Sequence, residues 1–164
     1  MKDSRITFRP IGIIYSEHAI AERTPIQPVY AKGCKGYVEV FPEFVQGLRD
    51  LDGFSHIYLI YHFNRLPQVK LIVKPFLQDV ERGIFSTRAP NRPNAVGLSV
   101  VELLGIDNNI LYLNNVDILD CTPLLDIKPY TAKFDLYDVK KNGWQDEVDE
   151  QTAQKRGKRG YSRP

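Results

Sequence analysis

Residues 87–94 read Thr-Arg-Ala-Pro-Asn-Arg-Pro-Asn, two arginines and two asparagines without one acid. Pro90 and Pro93 remove two backbone donors, so this stretch is no central strand. An arginine fork pairs bidentately with carboxylates and phosphates, which makes Arg88 and Arg92 candidates for a charged ligand. A second stiff stretch, Thr24-Pro25-Ile26-Gln27-Pro28, presents Gln27 between prolines, with little conformational entropy left to lose on binding. A third, His62-Phe63-Asn64-Arg65, closes the most apolar strand of the chain and leaves Asn64 and Arg65 at its polar end. A fourth occupies residues 119–130, where Asp120 and Asp126 flank the apolar pair Leu124-Leu125. Paired carboxylates suit acid–base work, although Asp and Thr beside a turn also serve local backbone groups. Cys121 has no positioned histidine nearby that would make it a nucleophile. His56, Tyr58 and His62 share one strand face, but no third ligand stands at metal-binding spacing, so no metal is expected.

These residues need elements to hold them. Residues 9–15 and 37–41 read as strands, with a long loop between them carrying Pro25, Pro28, Gly33 and Gly36. Phe44, Val45, Leu48 and Leu51 share a helical face behind Pro42, which predicts a helix ended by Asp52-Gly53. Residues 54–63 are apolar on both faces, so this strand is expected to be central and covered on both sides. Short apolar runs follow at 71–73 and 83–85. Residues 96–106 and 110–118 form two β-type runs joined by Asp107-Asn108-Asn109, a hairpin signal because Asn tolerates positive φ. Residues 124–127 make a last short strand. Many short strands, one hairpin and little helix predict a mainly β domain, an open sheet or a small antiparallel barrel with short helices. A doubly wound nucleotide-binding fold is disfavoured, and neither its glycine signature nor a phosphate loop is present.

The chain has 164 residues, 43% hydrophobic and 26% charged, enough for a real core and against whole-chain disorder. No apolar run is of membrane-spanning length, and the first residues lead into no signal-type stretch, so an intracellular, cytoplasmic protein is expected. Two cysteines make no disulfide framework. The last ten residues hold five of the 22 basic residues and no acid, leaving 17 basic against 20 acidic over residues 1–154. The body is thus mildly acidic, and the tail, with Lys155, Arg156, Lys158 and Arg159, suits a polyanion. Gly157, Gly160 and Pro164 argue against an ordered helix there. The expected division is a β domain over residues 1–137 and a charged, partly disordered extension over 138–164. On these residues alone the ligand is a charged small molecule, a nucleic acid, or both.

The same stretches are similar to a known family. Pro10-Ile11-Gly12 with Ser16, residues 25–28, Gly53-Phe54-Ser55-His56, Gly83-Ile84-Phe85-Ser86-Thr87-Arg88, Asn91-Arg92-Pro93-Asn94-Ala95-Val96-Gly97, Asp120-Cys121-Thr122-Pro123 and Asp126-Ile127-Lys128-Pro129-Tyr130 resemble the TsaA-like, TrmO-type tRNA methyltransferases. The resemblance covers roughly residues 9–130. It implies a non-Rossmann β-barrel methyltransferase, a homodimer that uses S-adenosylmethionine to methylate N6 of threonylcarbamoyladenosine beside the tRNA anticodon. The implied cofactor residues are Gln27, Pro28, Asn64, Arg65, Arg88, Leu98, Asp120, Cys121, Thr122 and Pro123. Arg92, Lys128 and Tyr130 are expected on the tRNA side or holding loops, with the basic tail assisting. Asp126 or Asp120 would take the acceptor's proton. Two departures stand out: Ile26 replaces the usual arginine of a Pro-Arg-Gln loop, and Cys121 stands where the family has glycine. Two alternatives remain, a methyltransferase of this fold with another nucleotide or small-molecule substrate, and a non-catalytic RNA-binding β module.

Overall fold

The structure, a computed structural model, describes residues 5–65 and 68–159. Six strands close into an antiparallel barrel in the order β1 (Gly12–Ser16), β2 (Lys35–Val40), β7 (Ile110–Asn114), β6 (Val96–Asp107), β3 (His56–His62) and β8 (Thr122–Pro129). The closed alternative of the sequence reading is therefore the one realised. β4 (Ile72–Val73) and β5 (Arg82–Gly83) form a separate two-stranded sheet.

Closure depends on β6, the longest strand. Its first half pairs with β3 from Val96↔His62 to Glu102↔His56, and its second half with β7 to Asp107↔Ile110. The register slips between Leu103 and Gly105. A bulge bends a strand and sharpens its twist, which lets one strand serve both sides of the barrel. The β6–β7 hairpin turns on Asn108, at φ 52°, as the Asp107-Asn108-Asn109 signal predicts.

Inward residues alternate along each strand and meet in one core: Ile14, Val38, Val40, Ile57, Leu59, Val101, Leu111, Leu113 and Leu124 are all buried. β3 alternates too, so its two faces are not equally covered, contrary to the expectation of a strand buried on both sides. In a barrel one face of every strand looks outward; here that face is only partly shielded, with Tyr130 packed on Tyr58 and the Tyr58 hydroxyl donating to Asp135 of α1 (Ala132–Asp135).

Two other expectations are corrected. Residues 42–48 wind as a 3-10 helix and not an α-helix, interrupted by Asp50 at φ 66° before a second 3-10 turn at 51–53. Gly47, a poor helix former, sits inside this short segment, and tertiary packing keeps only Leu51 buried. The basic tail is not devoid of helix: α2 (Glu150–Lys158) starts at Asp149, whose carboxylate accepts from the Thr152 N–H. Gly157, read as a helix breaker, is one of the helix's contact points with the body, and a Cβ there would lie 2.4 Å from the Tyr30 ring. Gly160, Arg163 and Pro164 lie outside the described residues. No described helix is long and apolar enough to cross a membrane.

Candidate functional site

The long loop between β1 and β2 folds into short turns at 21–23 and 28–30, each stitched by local backbone bonds such as Ala31 N–H to Pro28 O at 2.9 Å. This sets Gln27 in extended backbone ahead of Pro28. The proline-rich loop after β5 begins with a 3-10 turn at 84–86 and is pinned by Thr87, whose hydroxyl and N–H both bond to Ile84 O. Arg92 folds back over it: one guanidinium nitrogen donates to Ile84 O (3.1 Å), Thr87 O (2.7 Å) and Ala89 O (3.4 Å). Of the two roles expected for Arg92, the tRNA side or holding loops, these bonds are of the second kind. Arg88 is exposed and donates to Gln27 Oε1 at 2.7 Å. Two loops 61 residues apart in sequence meet through this pair.

A second pair forms at the end of β3. Arg65 donates to the main-chain oxygen of Asp120. The Asp120 carboxylate accepts from the Ser16 N–H at 3.0 Å and from the Cys121 thiol at 3.4 Å. The Asp120 N–H donates to His18 O, and the Thr122 hydroxyl to Leu119 O, so this turn is anchored at both ends. Cys121 stands at φ 60°. That left-handed position favours glycine, and a side chain there costs about 1–2 kcal/mol. The thiol's pKa is raised, first by its bond to Asp120, so Cys121 is no thiolate nucleophile.

The sequence reading missed a buried polar chain. Ser99 donates to Asp117 Oδ1 at 2.6 Å, and its oxygen lies 3.1 Å from the Tyr61 hydroxyl, which therefore donates to it. Burial pushes Asp117 up from 3.8 to about 7, while Ser99 and the charge of Arg88 pull the other way. Tyr61 is raised by burial and then by Asp117. Its ring fits because its register partner is Gly97, where a Cβ would lie 2.2 Å from the ring. Ser99 was legible as the one polar residue among the inward positions 97, 99, 101 and 103. Asp117 follows the end of β7 and obeys no strand alternation, so no periodicity marks it. His18, buried, places Nε2 2.7 Å from Val116 O and helps hold the same segment.

The remaining predicted residues lie elsewhere. Leu98 and Asp126 stand on either side of Ile60 in the registers of β6, β3 and β8, a row on the outer wall. Leu98 is 51% exposed. Asp126 pairs with Lys128 at 3.0 Å and shares no described contact with Gln27 or Arg88. Tyr130 packs on His56 and Tyr58. Asn64 is exposed in the turn after β3, and Pro123 enters β8 opposite Ile13. Arg156 grips Asp79 with two bonds, and Arg159 donates to Ala21 O and lies over the Phe76 ring, leaving Lys155 and Lys158 exposed. Among the described residues no group of three acidic, histidine or cysteine side chains is arranged to hold a metal.

Residues 13–136 match the tRNA-methyltransferase O N-terminal domain. A Pyrococcus abyssi protein named "Probable S-adenosyl-L-methionine-binding protein" is 52% identical over 139 residues, covering 85% of this chain and 76% of that protein. The human tRNA (adenine(37)-N6)-methyltransferase is 32% identical over 142 residues, covering 82% of this chain but 32% of the human protein. The crystal structure of TrmO from P. aeruginosa superposes with a TM-score of 0.74 at 35% identity, covering 88% of this chain and 63% of that one. The chain thus spans less than two thirds of that solved structure and about a third of the human enzyme.

Proposed function

The chain belongs to the tRNA-methyltransferase O N-terminal domain family, and on that premise we propose that it is an S-adenosylmethionine-dependent tRNA methyltransferase. Its acceptor is N6 of the adenosine beside the anticodon, in its threonylcarbamoyl form. The observation that carries this reading is the junction of Gln27 with Arg88. It puts a guanidinium and an amide from two loops together where the family resemblance places the cofactor.

The donor set suits that cofactor. Arg88 has five N–H donors and spends one on Gln27 among the described residues, so a carboxylate can still take a bidentate grip. The turn at 120–123 offers main-chain groups and the Asp120 carboxylate, which suit amino and hydroxyl groups. When bound, S-adenosylmethionine supplies an electrophilic methyl group on a sulfonium centre. What the chain contributes is alignment, which supplies several kcal/mol of a methyl transfer barrier without a strong acid or base. The acceptor N6 must still lose a proton. Asp120 and Asp126 each have both carboxylate oxygens engaged, Asp120 by the Ser16 N–H and the Cys121 thiol, Asp126 by the Ile127 N–H and Lys128. Either carboxylate takes the proton only by giving up one of these bonds.

Among the described residues, Lys155 and Lys158 are the tail cations exposed to meet phosphate, since Arg156 and Arg159 are already engaged. Arg92, Lys128 and Tyr130 serve the same side by shaping its loops and wall. A second copy of the chain covers the outer row around Leu98, which accounts for a cofactor residue standing apart from Gln27 and Arg88. The cytoplasm, where tRNA is modified, is the proposed compartment.

Calorimetry with S-adenosylmethionine on RNA-free protein tests the reading. One saturable site per subunit is expected, followed by methyl transfer to threonylcarbamoyl-modified tRNA and none to unmodified tRNA. Transfer to another nucleotide or small molecule would keep the chemistry and replace the substrate. Salt-sensitive RNA binding with no response to the cofactor would leave a binding module.

A further inference from the structure

The segment after the family-matched residues touches both loops that form the Gln27–Arg88 pair. On one side, α2 holds the first loop. The Ile26 N–H donates to Gly157 O at 3.0 Å, one residue before Gln27. Gly157 packs so closely on Tyr30 that a Cβ would lie 2.4 Å from the ring. Arg159 donates to Ala21 O at 2.7 Å. On the other side, the turn at 143–147 holds the second loop. Trp144 Nε1 donates to Ser86 O at 2.8 Å, two residues before Arg88, and Glu147 pairs with Arg82 at 3.0 Å. Arg156 adds a bidentate bond to Asp79 on the connection that leads into β5.

We infer that residues 143–159 are a clamp that sets the distance between the Gln27 loop and the Arg88 loop, with Trp144 and Gly157 as positioning residues for the cofactor site. This rests on the methyltransferase reading for the identity of the ligand, though not for the mechanical coupling. The physical reason is that neither loop is held there by the barrel ladder. Each carries a polar side chain at its tip, and the two tips meet in a single hydrogen bond. One hydrogen bond between exposed groups contributes only about 1 kcal/mol and does not by itself fix two loops. The clamp supplies the missing constraint from outside the barrel. It also explains why a basic tail contains a glycine in the last turn of its helix against an aromatic ring, and why two of its arginines are bonded inward.

The test uses full-length protein carrying Gly157→Val, which forces α2 off Tyr30, and separately Trp144→Phe, which keeps an aromatic side chain of smaller size and removes the donor to Ser86 O. Hydrogen–deuterium exchange is read over residues 21–30, 84–92 and the barrel strands, and S-adenosylmethionine affinity by calorimetry. In Gly157→Val, faster exchange is expected in both loops, including 84–92, which α2 does not touch through Gly157, with β3 and β6 unchanged. In Trp144→Phe, faster exchange is expected in 84–92 and also in 21–30, a loop to which Trp144 makes no described hydrogen bond. Cofactor affinity should fall about five- to tenfold in each, the worth of about one lost loop contact, with kcat at saturating cofactor within about twofold and the change appearing in KM. Altered exchange confined to the loop touched by each residue, or unchanged affinity in both variants, would overturn the clamp. Exchange raised throughout the barrel would reduce Gly157 to a stability role, and Trp144→Phe then decides. If the wild-type chain binds no S-adenosylmethionine, the methyltransferase reading fails, while the loop-to-loop exchange response still decides whether the clamp exists.

Discussion

Arg88 concentrates the chemistry of the site into one side chain. It bonds Gln27 across two loops and is close enough to Asp117 to pull that buried carboxyl downward against burial. Arg88→Ala should weaken S-adenosylmethionine binding at least about tenfold, close to 1.4 kcal/mol, read by calorimetry; near-normal binding would remove Arg88 from the site. Asp117 predicts a pH effect of definite sign. Its carboxyl rises from 3.8 to about 7 on folding, so the folded chain holds more protons than the unfolded chain between those values. Its contribution to stability therefore falls as pH rises through that window and levels off above about 7. Asp117→Asn keeps an oxygen for Ser99 and abolishes the titration. Its thermal midpoint relative to wild type should climb from pH 5 to pH 8, and a difference independent of pH would mean Asp117 is not held protonated by burial.

At the scale of elements, the site is placed by contacts that cross between strands and loops. Gly97 on β6 leaves room for the Tyr61 ring on β3, and Tyr61 in turn supports Ser99 and Asp117. Gly97→Ala would drive a Cβ into a buried ring that has no open side to move to. The expected cost is about 1–3 kcal/mol of stability by urea unfolding, with an unchanged midpoint as the contrary result. The strands and the hairpin at Asn108 were readable because alternation and Asn at positive φ are local signals. The 3-10 winding of residues 42–48 was not, because an apolar spacing of i, i+1, i+4 and i+7 does not distinguish it from an α-helix over two turns. The docking of α2 was not readable either: Gly157 looks like a breaker until Tyr30 is beside it.

For the whole molecule, closure of the sheet removes unpaired edges from the six barrel strands and turns one face of each outward. That outer wall carries the apolar row of Ile60, Leu98 and Val96, with Val96 38% and Leu98 51% exposed. If two copies cover it, Leu98→Glu should shift the protein to a monomer in sedimentation and weaken cofactor binding together. A monomeric wild-type protein with full cofactor affinity would sink the dimer.

Sequence by itself determined the mainly β class, the β6–β7 hairpin, the polar loops and, through specific motifs, the family, because each rests on residue type and short-range spacing. It did not settle which polar residues are occupied by the fold itself. Arg156 and Arg159 read as free cations, and their carboxylate and carbonyl partners are 77 and 138 residues away. Asp117 and Ser99 carry no motif, and only barrel closure brings them under Tyr61. Partners that distant are chosen by tertiary packing, where burial makes an unpaired polar group costly. That is why the ligand class was legible from the chain and the positioning of its binding loops was not.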